Sequence, residues 1–128
     1  MTRKLITKTS AASTGALIEQ EALAWLQRQG LKLITKNYCC KVGEIDLVML
    51  DQQQLTFIEV RFRKNSSFGG GLESVDWRKQ NKLRKAAAHF LLKHSQYANF
   101  SCRFDVLGVQ PDSNATLRWS WIKHAFSD

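Results

Sequence analysis

The chain has 128 residues, enough for one hydrophobic core but too few for two. Hydrophobic residues make up 44% and charged residues 23%, a balance typical of a folded globular protein that excludes an intrinsically disordered one. Lysine and arginine number 19 against 11 acidic residues, so the net charge is +8. This basic excess favours a polyanionic partner, either nucleic acid or an acidic membrane surface, over a simple solubilising role.

No apolar run approaches the ~20 residues that a membrane-spanning helix needs, so no membrane span is expected. The basic N-terminus is not followed by the apolar segment of a signal peptide. Three cysteines, Cys39, Cys40 and Cys102, include an adjacent pair that suits neither zinc nor an ordinary disulfide. We therefore expect small buried thiols in a reducing cytoplasm.

The predicted elements follow the order α-β-β-β-α-β-β, an α/β protein with a single domain at 14–128 behind a flexible N-terminus at 1–13. The first helix is predicted from Thr14 to Gln29, with Ser13 or Thr14 as N-cap and Gly30 at the C′ position. The second is predicted from Val75 to His94 after a glycine-rich loop. The predicted strands are 31–38, 43–50, 55–63, 102–110 and 116–122. The predicted buried stripe of the second helix is Leu83, Ala86, Ala87, Phe90 and Leu91.

The segment 43–63 reads as a β-hairpin that carries more charge than a hairpin needs. If Leu50 and Leu55 close a four-residue loop, Asp46 lies opposite Glu59 and Glu44 lies opposite Arg61. Side chains alternate along a strand, so all four charges point to one face. The reverse, core face then holds Ile45, Leu47, Met49, Ile58, Val60 and Phe62.

Two opposed carboxylates repel each other and destabilise a sheet, so a positive charge is expected between Asp46 and Glu59. Arg61 is one candidate. A divalent cation is another, because directly opposed Cβ atoms lie about 4.5–5.5 Å apart and both carboxylates could reach one ion. Mg²⁺ takes one or two carboxylates and fills its other positions with water and phosphate oxygens. The alternative is a Glu44–Arg61 ion pair with Asp46 and Glu59 merely solvated.

The first helix carries Glu19 on an otherwise apolar face, next to Ala22, Leu23 and Leu26. A carboxylate there needs a partner, and it could point to the hairpin and hold water or metal. Alternatively, it reaches solvent at the edge of the helix. Glu21 lies on another face and is the weaker candidate.

Basic residues recur at helical spacing at the start of the second helix. Cations near a helix N-terminus oppose the macrodipole, so stability does not explain them and phosphate binding does. The predicted nucleic-acid-binding residues are Arg63, Lys64, Arg78, Lys79, Lys82 and Lys85. A solvated helix face is the alternative explanation.

Two further patterns favour structural roles. Arg103 and Asp105 share a strand face and predict an ion pair. Trp119 and Trp121 also share a face, which indicates core or interface packing.

The motifs taken together resemble the bacterial YraN family, uncharacterised protein family 0102. They are Gly15 with Glu19, "GEIDLV" at 43–48, "FIEVRFR" at 57–63, the glycine-rich loop, "RKQNKL" at 78–83, "RFDV" at 103–106 and "WIKHAF" at 121–126. That family is similar to the PD-(D/E)xK endonucleases, and especially to archaeal Holliday junction resolvases. The resemblance implies a restriction-endonuclease-like core, a mixed sheet flanked by helices.

The resemblance also implies roles for individual residues. Asp46 and Glu59 take the places of the motif's two acidic residues and, with the Val60 carbonyl, would hold Mg²⁺ or Mn²⁺. Glu19 matches the helical glutamate of the resolvase branch. The motif's lysine, which can help to activate or place the attacking water, is replaced by Arg61. Arginine stays protonated and cannot act as a base, but it can bind the scissile phosphate.

The leading hypothesis is a metal-dependent endonuclease that acts on DNA, branched DNA included, and the resemblance to resolvases implies a homodimer. The alternative is a nucleic-acid-binding module whose nuclease site is degenerate at Arg61. A third hypothesis is a structural partner in a protein complex, which predicts no salt-dependent DNA binding.

Overall fold

A computed structural model describes residues 11–63, 75–112, 114 and 116–127, with side chains from residue 15 onward. Its elements are α1 Ala11–Arg28, β1 Lys32–Cys40, β2 Gly43–Asp51, β3 Gln54–Phe62, α2 Trp77–Lys93, a short 3₁₀ helix Ser95–Tyr97, β4 Ser101–Pro111 and β5 Leu117–Phe126. The predicted order α-β-β-β-α-β-β is confirmed. The flexible terminus predicted at 1–13 falls mostly on residues outside the described ranges, as do the glycine-rich loop and Lys64.

The five strands form one mixed sheet in the order β1-β2-β3-β4-β5. Neighbours are antiparallel except for β3 and β4, which run parallel. Parallel neighbours need a crossover connection, and α2 lies in the connection between these two strands. The α/β class with a mixed sheet and flanking helices is therefore as predicted.

Each face of the sheet is covered by one helix. On one face, Leu47 and Ile58 pack with Ala22 and Leu26 of α1. On the other face, Phe57 packs with the inward stripe of α2, in which Leu83, Ala86, Ala87 and Phe90 are buried. Leu91, predicted in that stripe, is only half-buried at its edge. The core therefore has two layers, because alternating side chains of β2 and β3 supply both.

The hairpin register is confirmed where β2 and β3 are paired. Leu50 lies opposite Leu55 and Leu47 opposite Ile58, as the pairing rule predicts. The predicted four-residue loop was too long: Asp51 also pairs with Gln54, which leaves a two-residue loop. Gln52 accommodates this tight turn in the left-handed region, at φ 58°.

One face assignment in β2 was wrong. Ile45 was predicted to share a face with Leu47, but it packs in the α2 layer together with Val48. The alternation of side chains is therefore broken at Asp46, between these residues. The β2–β3 ladder also ends here, at Leu47 and Ile58.

The first helix is longer at its start than predicted. It begins at Ala11, so neither Ser13 nor Thr14 is its N-cap. The alanines at 11 and 12 are strong helix formers, and they let the helix extend backward past both. Its end is as predicted: Gly30, at φ 102°, occupies C′. The Gly30 N–H donates to the Gln27 carbonyl and the Leu31 N–H to the Leu26 carbonyl, which is a Schellman motif.

The Arg103–Asp105 ion pair is confirmed and belongs to a larger buried network. Asp105 has no exposed surface and accepts from Arg103 Nε at 2.9 Å, Trp121 Nε1 at 2.8 Å and the His124 N–H at 2.9 Å. Arg103 also donates to Asp51 at 2.8 Å. The network thus ties the hairpin end of the sheet to β4 and β5.

The tryptophans, the cysteines and the helices test the remaining predictions. Trp119 stacks on Trp25 at 5.4 Å and Trp121 meets it edge-on at 5.8 Å, so the β5 tryptophans pack against α1 as expected. The prediction of buried thiols was wrong, because Cys39 on the edge strand β1 is exposed and Cys40 and Cys102 are only half-buried. Within the described ranges, neither helix combines the length and apolar character needed to cross a bilayer.

Candidate functional site

The candidate site lies where β2 and β3 separate. The Asp46 carboxylate enters the gap and accepts a hydrogen bond from the Val60 N–H at 2.8 Å. The Asp46 side chain thus accepts from a backbone N–H of β3 just beyond the end of the β2–β3 ladder. Beyond this point β3 continues to pair with β4 through Phe62. The separation of β2 and β3 therefore leaves room for side chains, while β3 stays in the sheet through β4.

Glu59 is the buried acid of this gap, with 5% of its surface exposed. Its Oε2 contacts two cations: Arg61 Nη1 at 3.3 Å, from the same strand, and Lys79 Nζ at 3.4 Å, from α2. A buried carboxylate is costly unless it is paired, and the two cations meet that requirement.

Asp46 is in a different electrostatic position. Burial, and then the negative charge of Glu59, raise the pKa of Asp46 to about 7, with Glu19 adding to the effect. The Val60 hydrogen bond and Lys79 act in the opposite direction but do not cancel it. Asp46 is therefore only partly ionised at neutral pH, mainly because it is buried.

Glu19 joins the same cluster from α1. It is half-buried beside buried Ala22, as its place on the apolar helix face predicts. Burial raises its pKa, followed by the charges of Glu44 and Glu59, while Lys36 opposes them. These effects of charge on the pKa values show that Glu19 lies close enough to the gap to interact with its carboxylates. The first helix and the hairpin therefore contribute to one site.

The alternative predicted for the hairpin was an ion pair between Glu44 and Arg61, and it was wrong. The paired part of β2 and β3 ends before these residues, and Arg61 contacts Glu59 instead. Glu44 is exposed and pairs through its backbone with Cys39 of β1.

Asp46 and Glu59 are the candidate ligands for the predicted divalent cation. Within the described ranges, no group of three or more His, Cys, Asp or Glu side chains could hold a metal ion. The described residues therefore do not form a metal site in which protein side chains supply all the ligands. Two oxygen-bearing groups on the gap, Asp46 and Glu59, match the one or two carboxylates that Mg²⁺ uses beside water and phosphate.

Three of the predicted nucleic-acid-binding residues lie together on α2. Arg78, Lys82 and Lys85 line a cleft of about 260 Å³ with Val42 and Asn81, hereafter the basic cleft. The β1–β2 turn closes one side of it: a Cβ added at Gly43 would lie 2.9 Å from the Lys82 carbonyl oxygen. Glycine is required at this close approach.

Two other predicted binding residues lie elsewhere. Arg63 follows the end of β3, where its N–H donates to the Val109 carbonyl at 3.0 Å. Lys79 lies apart from the basic cleft, since its ammonium contacts Glu59.

The contact between Lys79 and Glu59 is the feature that sequence reasoning missed. A signal for it exists, because Lys79 precedes buried Leu83 by four residues and buried Ala86 by seven. That spacing puts Lys79 on the inward face of the helix, unlike exposed Lys82 and Lys85. A lysine on an inward stripe predicts a buried acidic partner.

Comparison with known proteins agrees with the resemblance seen in the sequence. A family model described as uncharacterised protein family UPF0102 matches residues 18–109. A UPF0102 protein of Alcanivorax borkumensis is 49% identical over 91% of this chain and 94% of its own length. One from Pseudomonas putida strain W619 is 50% identical over 93% and 97%.

Proposed function

The chain belongs to the UPF0102 family, and we propose that it is a metal-dependent nuclease acting on DNA through Asp46 and Glu59. The observation that carries the proposal is the Asp46 carboxylate in the gap between β2 and β3, beside buried Glu59 and with its pKa raised to about 7. The raised pKa means that the charged form of Asp46 is unfavourable here, and a bound cation would favour that form.

The residues of the site have separate proposed roles in binding the metal and positioning the water. Asp46, Glu59 and the Val60 carbonyl would hold Mg²⁺ or Mn²⁺. Such an ion lowers the pKa of a bound water and neutralises charge on a phosphate. Glu19, within electrostatic reach of Glu59, would accept a hydrogen bond from the attacking water and orient it.

Arg61 and Lys79 supply positive charge on the open side of the pair. Both contact Glu59, and 22% of the Arg61 and 39% of the Lys79 side chain are exposed. An incoming phosphate can therefore reach them. The guanidinium binds phosphate through two parallel hydrogen bonds and stabilises the charge that develops during cleavage.

The basic cleft would hold the phosphate backbone next to the site. Contacts from lysine and arginine to phosphates position a duplex but do not read its sequence. We therefore propose structure-directed recognition of DNA, branched forms included. The homodimer that the resemblance implies remains a prediction.

A cleavage assay on duplex, flap and four-way-junction DNA tests the proposal. Wild type should cut at least one of them in Mg²⁺ or Mn²⁺, and Asp46→Ala should abolish the cutting while salt-sensitive binding remains. Lys93→Ala, an exposed lysine at the far end of α2, is the control and should cut like wild type. Cleavage that survives Asp46→Ala would sink the assignment.

A second candidate function is a nucleic-acid-binding module that does not cleave. The contacts of Glu59 with both Arg61 and Lys79 favour it, because two cations can satisfy that carboxylate without a metal. Arg61→Lys separates the candidates. A large gain of cleavage would mean that arginine weakens an otherwise intact site, whereas no cleavage by either protein would favour the binding module.

A further inference from the structure

Trp77 is exposed in a way that the other tryptophans are not. It is the first residue of α2 and exposes 69% of its surface. Trp25, Trp119 and Trp121 instead pack against one another between α1 and β5. Tryptophan is rarely left in water when packing is its only role, so an exposed ring indicates a binding function.

Trp77 lies beside the basic cleft. Residues four apart on a helix are neighbours on its surface, so the position of Trp77 is next to that of Asn81, which lines the cleft. Arg78 is next to it in the chain, and Lys82 and Lys85 continue along the same side. About two turns of α2 thus carry the exposed ring and the three cations on their surface.

We propose that this surface binds an unpaired stretch of nucleic acid, with one base stacked on the Trp77 indole and the following phosphates in the basic cleft. The proposal rests on the proposed function and deepens it by naming the substrate class: DNA that carries a single-stranded segment. Bases inside a duplex stack on each other, so only an unpaired base can offer its face to the ring.

Charge and length both favour this occupant. Three of the five described residues that line the cleft are cations, on a protein of net charge +8. From Trp77 to Lys85 the helix rises about 12 Å, a length that matches only a few nucleotides of an unpaired strand. A stacking aromatic ring combined with a groove of cations is how proteins hold single strands without reading sequence.

Binding is measured in EDTA, so that no cleavage occurs, with three probes: an oligothymidylate strand, a blunt duplex, and the same duplex with a single-stranded extension. The strand and the extended duplex should quench tryptophan fluorescence, and the blunt duplex should not. By anisotropy, Trp77→Ala should weaken binding of both quenching probes by about 5- to 150-fold and leave the blunt duplex within about twofold.

Two variants serve as controls. Trp77→Phe keeps an aromatic face and should retain most of the affinity. Leu92→Ala removes another large exposed apolar side chain from α2, at its opposite end, and should change nothing. Thermal melts should show Trp77→Ala as stable as wild type, since so little of the ring is buried.

The failures are distinguishable. Equal affinity of Trp77→Ala and wild type for the strand would overturn the inference, as would equal losses on all three probes. If wild type binds none of the probes in a salt-sensitive way, the proposed function itself fails.

Discussion

At the residue scale, the chemistry centres on Asp46. Five effects act on this carboxyl group together: burial and the charges of Glu59 and Glu19 favour the protonated form, while the Val60 N–H and Lys79 favour the charged one. The balance leaves the group titrating near neutrality. A cation in the gap would shift the balance to the charged form, so binding of a metal should release a proton.

Asp46 should make stability depend on pH. Its pKa is raised from 3.8 to about 7, so between those values the folded protein keeps a proton that the unfolded chain loses. Stability without metal should therefore be highest below pH 4 as far as this group is concerned, and fall as pH rises to about 7.

Asp46→Asn removes this contribution and keeps an oxygen that can accept from the Val60 N–H. In EDTA, the melting temperature of wild type should drop relative to that of the variant as pH rises through this window. Parallel curves for the two proteins would contradict the raised pKa.

Glu19 should matter for cleavage more than for binding. Glu19→Gln keeps the shape of the side chain but removes its charge, so we expect cleavage to fall about 10- to 100-fold, the usual effect of losing a group that supports a metal site. Glu21→Gln, an exposed glutamate on the same helix, is the matched control. Equal cleavage rates for the two variants would place Glu19 outside the site.

At the element scale, the sequence predicted the elements well and their interruptions poorly. The register of β2 and β3 could be predicted from the alternation of apolar residues, although the turn was predicted too long, because a slip by one residue would send the apolar set to water. The end of the ladder at Leu47 could not be predicted, since it depends on the Asp46 side chain accepting from the Val60 N–H. Ile45 was misplaced for the same reason.

Contacts between elements far apart in sequence were the other feature that could not be predicted. The salt bridge from Lys79 to Glu59 depends on how α2 lies across the sheet. Helical periodicity places the lysine on the inward face but does not say which strand residue it meets. By contrast, Arg103 and Asp105 are two residues apart, and strand alternation alone predicts their contact.

The buried network around Asp105 should be a major source of stability. Asp105→Ala removes the fully buried counterion of Arg103 and leaves the Trp121 indole and His124 N–H without their acceptor. Removing one partner of a buried ion pair costs about 3–5 kcal/mol, to be measured by urea unfolding. Glu21→Ala, at an exposed position, should cost far less. A loss below about 1 kcal/mol for Asp105→Ala would show that the network is easily replaced by water.

At the scale of the whole molecule, the net charge of +8 should appear as salt-dependent DNA binding. Each phosphate contact lowers the slope of log K against log salt by about 0.9 on duplex DNA. Replacing Arg78, Lys82 and Lys85 by alanine should therefore make the slope shallower by about 2.7. Lys93→Ala should leave the slope unchanged. An unchanged slope in the triple variant would place the DNA on another surface.

The central claim, a divalent cation held by Asp46 and Glu59, is tested most directly by a thermal melt during titration with Mg²⁺. A ligand that binds only the folded state must stabilise it, by about 2.7 kcal/mol at a concentration of 100 Kd. The melting temperature of wild type should therefore rise with Mg²⁺ at neutral pH, and that of Asp46→Asn should not. No rise for wild type, or the same rise for both proteins, would contradict the assignment.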